Sequence, residues 1–358
     1  MEQQNQLLRD RLQTGFLGII AFALLMFLLV QARFILICLA IAIIIFSLTS
    51  DAIGAIARQR VPNWLATALA LLLIAGGLLW ASTTVVNQIN QVVTTSISYA
   101  EQFQAALPSL LEWMGPEAQQ TAETVIRTIN LTGWMRSMAG SVAGSASTLL
   151  SAAVLIILFV GFMFAERVWF PLKIDSLLSG DKVAAAHVRQ IIASIMRRVN
   201  RYLVVKTLVS AATALCVFGI FTAAGLPLAG AISMLTFALN FLPSVGSIIA
   251  TAIAVALAYV LSADISTTLA IGAGCTAVQF AIGNVLDPML LGQTLRLSSF
   301  GIILSLAFWG AIWGIPGMFL AVPIMVAIMI VCAHIPWLRP VAVLLSREGH
   351  PDDGMTDD

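Results

Sequence analysis

Residues 229–260 read AGAISMLTFALNFLPSVGSIIATAIAVALAYV, and this stretch decides which kind of fold the chain can adopt. It is almost wholly apolar, so it belongs in lipid or in a deep protein interior. At roughly 30 residues it is longer than one upright helix needs to cross a bilayer. Pro243 and Gly246 interrupt it near the middle, because proline removes a backbone donor and glycine relaxes the helical backbone. We therefore expect two half-helices that meet at this interruption.

A second stretch, residues 300–332, has the same design and is interrupted at Gly314, Pro316 and Gly317. Two arrangements fit both stretches: long tilted helices with a kink, or re-entrant hairpins whose tips lie inside the protein. Hairpins would place Asp264 outside the cell and Arg296 inside, as the cytoplasmic bias of basic residues prefers. The sequence therefore favours hairpins. Paired interrupted segments of this kind indicate a transport site.

The whole chain has the composition of a membrane protein. Of its 358 residues, 60% are hydrophobic and only 10% are charged, and the mean hydropathy is +0.99. Soluble domains carry about a quarter charged residues, so lipid must surround much of this chain. The predicted fold class is all-α: a polytopic helical membrane protein with about eight apolar segments, two of them broken or re-entrant. The segments are Gly15–Val30, Phe34–Leu48, Trp64–Val86, Thr148–Ala165, Leu203–Ala223, Ala229–Val260, Thr267–Leu286 and Phe300–Cys332.

The first two segments are short, and we predict that a tight hairpin turn at Gln31–Ala32–Arg33 joins them. Charged residues then predict the orientation. Lysine and arginine accumulate in residues 166–202, whereas residues 87–147 are richer in glutamate. Basic residues mark the cytoplasmic side of short loops, so the first of these regions is expected inside, the second outside, and both termini in the cytoplasm.

The chain is thus divided into six predicted regions. They are 1–86 (N-terminal transmembrane helices), 87–147 (an extracytoplasmic helical region), 148–165 (a transmembrane helix), 166–202 (a cytoplasmic amphipathic helical region), 203–335 (a C-terminal transmembrane transport region with broken helices) and 336–358 (a cytoplasmic tail). Residues 182–202 show apolar residues at helical spacing with basic residues between them. This segment fits either a helix that lies on the anionic inner leaflet or a coupling and gating element.

Polar residues gather near the two interruptions and predict the pathway of a substrate or ion. The predicted pathway residues are Asn240, Pro243, Ser244, Gly246, Gln279, Asn284, Asp287, Gly314, Pro316 and Gly317. Asp287 is the strongest candidate, because an acidic group in or near a membrane span is costly and usually functional. The alternative is that Asp287 caps a helix or pairs with Arg296. For Asn240 and Gln279 the alternative is a hydrogen bond that holds two helices together.

Nothing in the sequence predicts catalysis, a metal or a cofactor. The four cysteines sit singly in apolar runs, which is typical of small buried hydrophobic residues, and the three histidines are scattered. No phosphate-binding G-x-x-x-x-G-K-[ST] loop occurs. The net charge of +1 predicts no nucleic-acid partner. The expected partners are membrane lipid and a small-molecule or ion substrate.

Three motifs resemble the AI-2E family of transporters, the autoinducer-2 exporter or PerM-like permeases. They are Asn240-Phe-Leu-Pro-Ser-Val-Gly-Ser-Ile248, Gly283-Asn-Val-Leu-Asp-Pro-Met-Leu-Leu-Gly292 and Gly310-Ala-Ile-Trp-Gly-Ile-Pro-Gly-Met-Phe-Leu-Ala-Val-Pro323. The order of elements along the chain fits the family as well.

This resemblance implies a secondary transporter of the bacterial inner membrane that exports a small solute or signal molecule similar to autoinducer-2, with or without a coupling ion. It also implies homo-oligomers, with a pentamer as the expected size. The alternatives are a sodium- or lithium-proton antiporter, a passive channel or facilitator, and a non-transporting membrane scaffold.

Overall fold

The computed structural model describes residues 2–57, 63–111, 131–178, 180–243, 245–291, 297–347 and 349. Helices dominate this part of the chain, and the one β-type contact within it is an isolated bridge between Leu297 and Ser346. The predicted all-α fold is confirmed. Ser244 and Arg296, which figured in the predictions above, lie outside the described residues.

The described helices are numbered here in chain order. They are α1 (Glu2–Gln31), α2 (Arg33–Ala57), α3 (Asn63–Leu111), α4 (Leu131–Glu166), α5 (Phe170–Leu177), α6 (Lys182–Ala223), α7 (Ala229–Leu239), α8 (Val245–Ser262), α9 (Ile265–Ala281), α10 (Asp287–Leu291), α11 (Ser299–Trp313), α12 (Ile315–His334) and α13 (Arg339–Leu345). A π-helical turn, Ile282–Leu286, joins α9 to α10 without a break.

Eight of the described helices are long and apolar enough to cross a membrane. Their apolar portions are Gln13–Gln31, Arg33–Ser50, Thr67–Tyr99, Ser147–Glu166, Lys182–Ala223, Val245–Ser262, Ile265–Leu286 and Ile315–His334. Each predicted segment overlaps one of them. In each interrupted segment only the second helix, α8 or α12, is long enough to cross. The first helix, α7 or α11, is a shorter apolar helix.

The junction between α1 and α2 lies at Ala32, within the predicted stretch Gln31–Ala32–Arg33. The Ala32 amide donates to the Leu28 carbonyl at 2.9 Å, and the Leu36 amide donates to the Ala32 carbonyl at 3.0 Å. These bonds close the last turn of α1 and the first turn of α2, and no other α-helical hydrogen bond of the described residues joins the two helices across Ala32. Ala32 is therefore a boundary between two helices, and the tight hairpin at this position stays a prediction.

The chain divides into two compact units. The first comprises Met1–Thr67, Leu155–Tyr202 and Gln293–Asp358, and the second comprises Ala68–Val154 and Leu203–Gly292. Each contains one of the interrupted segments. Helix α6 contributes to both units as one continuous helix of 42 residues. Residues 182–202 are therefore the beginning of a helix that continues into the following span, and not a separate helix.

In the second unit, α7 and α8 form a hairpin. Gly246 lies so close to α7 that a Cβ placed on it would come within 1.7 Å of the Leu239 carbonyl oxygen. With 11 residues, α7 reaches about 16 Å, roughly half the thickness of the hydrocarbon core. A buried cluster then packs α7 and α8 on α6 and α9: Val217, Phe221, Ile232, Ala254, Ala258, Ile271 and Cys275.

The first unit contains the matching hairpin of α11 and α12. Gly314 links them with φ +67° and ψ −145°, a conformation that suits glycine. A Cβ on Gly317 would lie 2.0 Å from the Trp309 carbonyl oxygen. The Ser305 hydroxyl donates to the Ala321 carbonyl at 2.8 Å, so the two helices run antiparallel. Both interrupted segments therefore fold as helical hairpins and not as long kinked helices, and their re-entrant placement in the membrane stays a prediction.

Helix α9 begins at a well-capped turn. The Asp264 carboxylate accepts hydrogen bonds from the Thr267 backbone amide at 2.8 Å and from the Thr267 hydroxyl at 2.6 Å. These bonds lower the pKa of Asp264, because they favour its charged form. This turn connects α8 to α9 at an exposed position.

The expectation that the histidines are scattered is only partly right. The rings of His187 and His334 meet edge to face in the first unit, with centroids 5.1 Å apart. The third, His350, lies outside the described residues.

Candidate ion and solute site

Asn240 lies at the tip of the α7–α8 hairpin and connects it to α6. Its Nδ2 atom donates to the Ser210 hydroxyl at 3.2 Å and to the Thr213 hydroxyl at 3.4 Å. Its Oδ1 atom faces the Ser247 hydroxyl at 3.5 Å. Ser210, Thr213 and Asn240 are all buried. A polar cluster thus lies inside an otherwise apolar group of helices.

The helical repeat explains why α6 supplies these partners. Lys206, Ser210 and Thr213 are spaced by four and three residues, so they share one face of the helix. The apolar portion of α6 within the second unit runs from residue 203 to residue 223. Ser210 and Thr213 lie near its middle, and the hairpin tip therefore meets α6 about halfway along that portion.

Lys206 forms an ion pair with Asp287. The Nζ atom donates to Oδ2 of Asp287 at 3.0 Å, and the two side chains are 5% and 23% exposed. The other carboxylate oxygen, Oδ1, is buried and has no hydrogen-bond partner among the described residues. A buried acceptor without a donor costs about 1–3 kcal/mol, and more when it is charged. This oxygen is therefore the atom best placed to accept a proton or a cation.

The backbone around Asp287 is also unusual. The π-helical turn Ile282–Leu286 ends directly before it. Turns of this type insert one extra residue into a helix. They are rare, and they frequently occur at functional sites. The insertion determines the direction in which Asp287 leaves its helix and hence its contact with Lys206.

The other predicted residues lie in different surroundings. Pro243 and Gly246 form the hairpin turn beside Asn240 and shape it through their backbone. Gln279 is half-buried on α9. Asn284 is exposed and donates to the Phe280 carbonyl of its own helix at 3.1 Å. Asn240 and Asp287 are thus brought to neighbouring positions on α6, whereas the Asn284 side chain bonds within its own helix.

The predicted residues of the second interruption, Gly314, Pro316 and Gly317, belong to the first unit. Gly314 and Gly317 have the backbone roles described above, and Pro316 lies in the first turn of α12, where its missing amide breaks no helical bond. Near this tip, the Trp313 indole donates to the Leu29 carbonyl at 3.0 Å.

Sequence reasoning missed Lys206, which turns out to be the partner of Asp287. A signal was present, because Lys206 is the only charged residue between Leu203 and Ala223. A lysine in the middle of an apolar run is a candidate functional residue by the same energetic argument that selected Asp287. Ser210 and Thr213 carried a weaker signal, since hydroxyl groups are common in membrane helices.

Together these groups can bind a small polar or cationic species. Hydroxyl and amide groups supply hydrogen bonds. In the ion pair, Oδ2 of Asp287 accepts from Lys206, whereas Oδ1 has no hydrogen-bond partner among the described residues. Among the described residues, no group of three or more histidine, cysteine, aspartate or glutamate side chains has a metal-binding arrangement.

Comparison with known proteins gives a consistent result. The family model described as "AI-2E family transporter" matches residues 17–337. The chain is 27% identical to the "AI-2 transport protein TqsA" of Escherichia coli (strain K12) over 334 residues, which are 92% of this chain and 95% of that protein. It is 28% identical to a "Putative transport protein" of Haemophilus influenzae over 346 residues, which are 96% and 98% of the two chains.

Proposed function

From the fact that this chain belongs to the AI-2E transporter family, we propose that it is a secondary transporter that exports a small polar solute similar to autoinducer-2. That the chain is a multi-pass bacterial membrane transporter follows from the family match and from the eight apolar helices among its described residues. The substrate is our inference. It is supported by the name of the Escherichia coli relative and by a buried cluster of hydroxyl and amide groups that suits an uncharged polar solute.

The single observation that carries the proposed mechanism is the buried ion pair of Lys206 and Asp287. Removing two charges from water costs several kcal/mol each, and pairing offsets this cost only in part. Such a pair is rare in a membrane helix unless it takes part in function. We infer that Asp287 exchanges Lys206 for a proton or a cation during transport and thereby couples solute movement to an ion gradient.

One feature also favours a second candidate function, sodium- or lithium-proton antiport. Asp287 holds Lys206 with one oxygen only, and its buried Oδ1 atom has no hydrogen-bond partner among the described residues. Carboxylate oxygens are the ligands that hard cations prefer. An antiporter needs a group of this kind, which binds either a proton or a metal cation but not both.

A flux assay on the purified chain in proteoliposomes tests both functions. We expect uphill movement of autoinducer-2 or of a similar polyhydroxylated solute when a proton or sodium gradient is imposed. We also expect that Asp287→Asn abolishes the coupling, because the neutral amide cannot hold a proton or cation in exchange for Lys206. Asp175→Asn serves as the matched control, since it makes the same substitution in an exposed ion pair with Arg189 in the first unit.

Three results would separate the alternatives. Sodium- or lithium-driven proton movement without solute flux would identify an antiporter. Solute equilibration that no gradient drives uphill would identify a passive channel. Unchanged coupling in Asp287→Asn would remove Asp287 from the mechanism whichever function applies.

Placement and assembly are part of the same proposal. We infer that the chain lies in the bacterial inner membrane with residues 166–202 in the cytoplasm, as their basic residues favour. The number of crossings that follow then places the C-terminal tail on the same side. We also propose that the six regions predicted from the sequence have the membrane locations given to them there. A homo-oligomer, with five copies as the expected number, rests on the family resemblance, and native mass spectrometry of the purified protein would count the subunits.

A further inference from the structure

A cavity of about 630 Å³ lies in the first unit and has no part in the transport site described above. Its walls come from α2, α4, the turn after α4, the start of α5, and α6. Most of the lining is apolar and partly aromatic, and its half-buried apolar residues include Ile43, Phe46, Phe159, Met163, Ile192 and Met196. The volume falls within the range that small-molecule pockets occupy. The lining predicts an occupant with a long apolar part.

The charged residues of the lining are on two adjacent positions, Glu166 and Arg167. Glu166 is neutralised by Lys173, whose Nζ atom lies 2.7 Å from its carboxylate. Asp175, farther along α5, is paired with Arg189. Arg167 is exposed and has no ion-pair partner in the described part of the chain. The rim therefore offers one unneutralised positive charge.

The cavity lies where two spans end. The apolar portions of α2 and α4 stop at Ser50 and Glu166, and both residues line the cavity. This is the level of the lipid headgroups, where basic and aromatic side chains are common. Beside it, α5 buries Ile174 but exposes apolar residues on either side: Trp169 is 60% exposed and Leu177 is 81% exposed. Exposed apolar groups of this kind suit a short helix that dips into the membrane interface.

We propose that this cavity binds an anionic phospholipid, with an acyl chain against the aromatic lining and the phosphate beside Arg167. The apolar floor excludes a polar solute, because such a solute would lose its hydrogen bonds to water without replacement. The free guanidinium selects an anionic headgroup, since arginine matches the geometry of phosphate oxygens. Because the cavity lies at the ends of two spans, a lipid bound there would keep its headgroup at the same level as in the surrounding bilayer.

Photolabelling of the full-length purified protein tests the proposal. The probe is phosphatidylglycerol with a diazirine on one acyl chain, and phosphatidylcholine with the same chain is the comparison. We expect phosphatidylglycerol to label Phe159, Met163 or Met196 and to remain bound in native mass spectrometry. Arg167→Gln should weaken phosphatidylglycerol binding about tenfold, the value of one charge-assisted hydrogen bond. Arg201→Gln, which changes an exposed arginine of α6 outside the cavity, should leave binding unchanged.

A second pair of variants tests the cavity itself. Ile192→Trp fills the cavity and should abolish the acyl-chain label, whereas Val183→Trp adds the same ring at an exposed position of α6 and should not. Melting temperatures establish that each variant is folded. Equal labelling by phosphatidylcholine, equal weakening in Arg201→Gln, or displacement of the lipid by the transported solute would each overturn the proposal. None of these results bears on Asp287, so the lipid site and the transport function fail separately.

Discussion

Lys206 and Asp287 face the highest electrostatic cost of any described pair in the chain, because both lie in a helical, apolar environment. Lys206 is 5% exposed along its side chain. Its charge is tolerated because Asp287 lies within hydrogen-bond distance on a different helix. The energetic consequence is asymmetric: losing one partner is much worse than losing both.

That asymmetry gives a prediction for stability. Lys206→Met should lower the free energy of unfolding by about 3–5 kcal/mol, because an uncompensated charge stays buried. The double variant Lys206→Met with Asp287→Leu should recover most of this loss while remaining inactive in transport. Thermal unfolding in detergent measures the first effect, and the proteoliposome assay measures the second.

The control for the ion pair is Arg201→Met on the same helix, where an exposed charge is removed and a change within about 0.5 kcal/mol is expected. A double variant that is no more stable than Lys206→Met would contradict the electrostatic explanation.

At this scale the sequence supplied half of the site. Asp287 and Asn240 could be identified because each is a polar residue beside a proline or glycine in an apolar region. Their partners could not, because Lys206 is 81 residues from Asp287 and Ser210 is 30 residues from Asn240. Periodicity places Lys206, Ser210 and Thr213 on one face of α6, but it does not say which helix packs against that face.

At the scale of elements, the two hairpins use glycine in the same way. Just after each tip, one helix approaches the backbone of the other so closely that only hydrogen fits at the glycine Cα atom. The contact is between Gly246 and the Leu239 carbonyl in one hairpin, and between Gly317 and the Trp309 carbonyl in the other. In each hairpin the atom that blocks a side chain is a backbone carbonyl oxygen, which cannot rotate away as a side chain could.

This contact predicts the effect of adding a single methyl group. Gly246→Ala and Gly317→Ala should each destabilise the protein by about 1–3 kcal/mol, because overpacking forces the backbone to shift. Gly161→Ala and Gly219→Ala are the matched controls, since a Cβ at either position meets nothing within 4 Å. They should be neutral or slightly stabilising. Thermal unfolding of the four variants in one detergent gives the comparison.

The elements that could be predicted were those with a strong local signal. Proline and glycine within an apolar run located both hairpin tips. The junction at Ala32 could be located because polar residues separate two short apolar runs. Its geometry could not be predicted with the same strength, since Gln31, Ala32 and Arg33 contain no turn-forming residue.

At the scale of the whole molecule, the side of the membrane on which the α8–α9 turn lies can be measured. Since α7 is too short to cross the bilayer, the turn between α8 and α9 should lie on the extracytoplasmic side. In a cysteine-free background, Ser266→Cys should react with an impermeant thiol reagent added from outside to intact spheroplasts. Position 266 is preferable to Asp264 because the Asp264 carboxylate caps α9. Reaction only after the membrane is opened would contradict the re-entrant arrangement.

The π-helical turn before Asp287 has a mechanical consequence. An α-helix turns by about 100° per residue, so converting the five-residue turn to regular α-helix would rotate everything beyond it by one such increment. The Asp287 carboxylate would then swing away from Lys206 to a different side of its helix, while the rest of α9 kept its register. A one-residue slip in the helical ladder could thus break and remake the salt bridge with little change elsewhere in the hairpin.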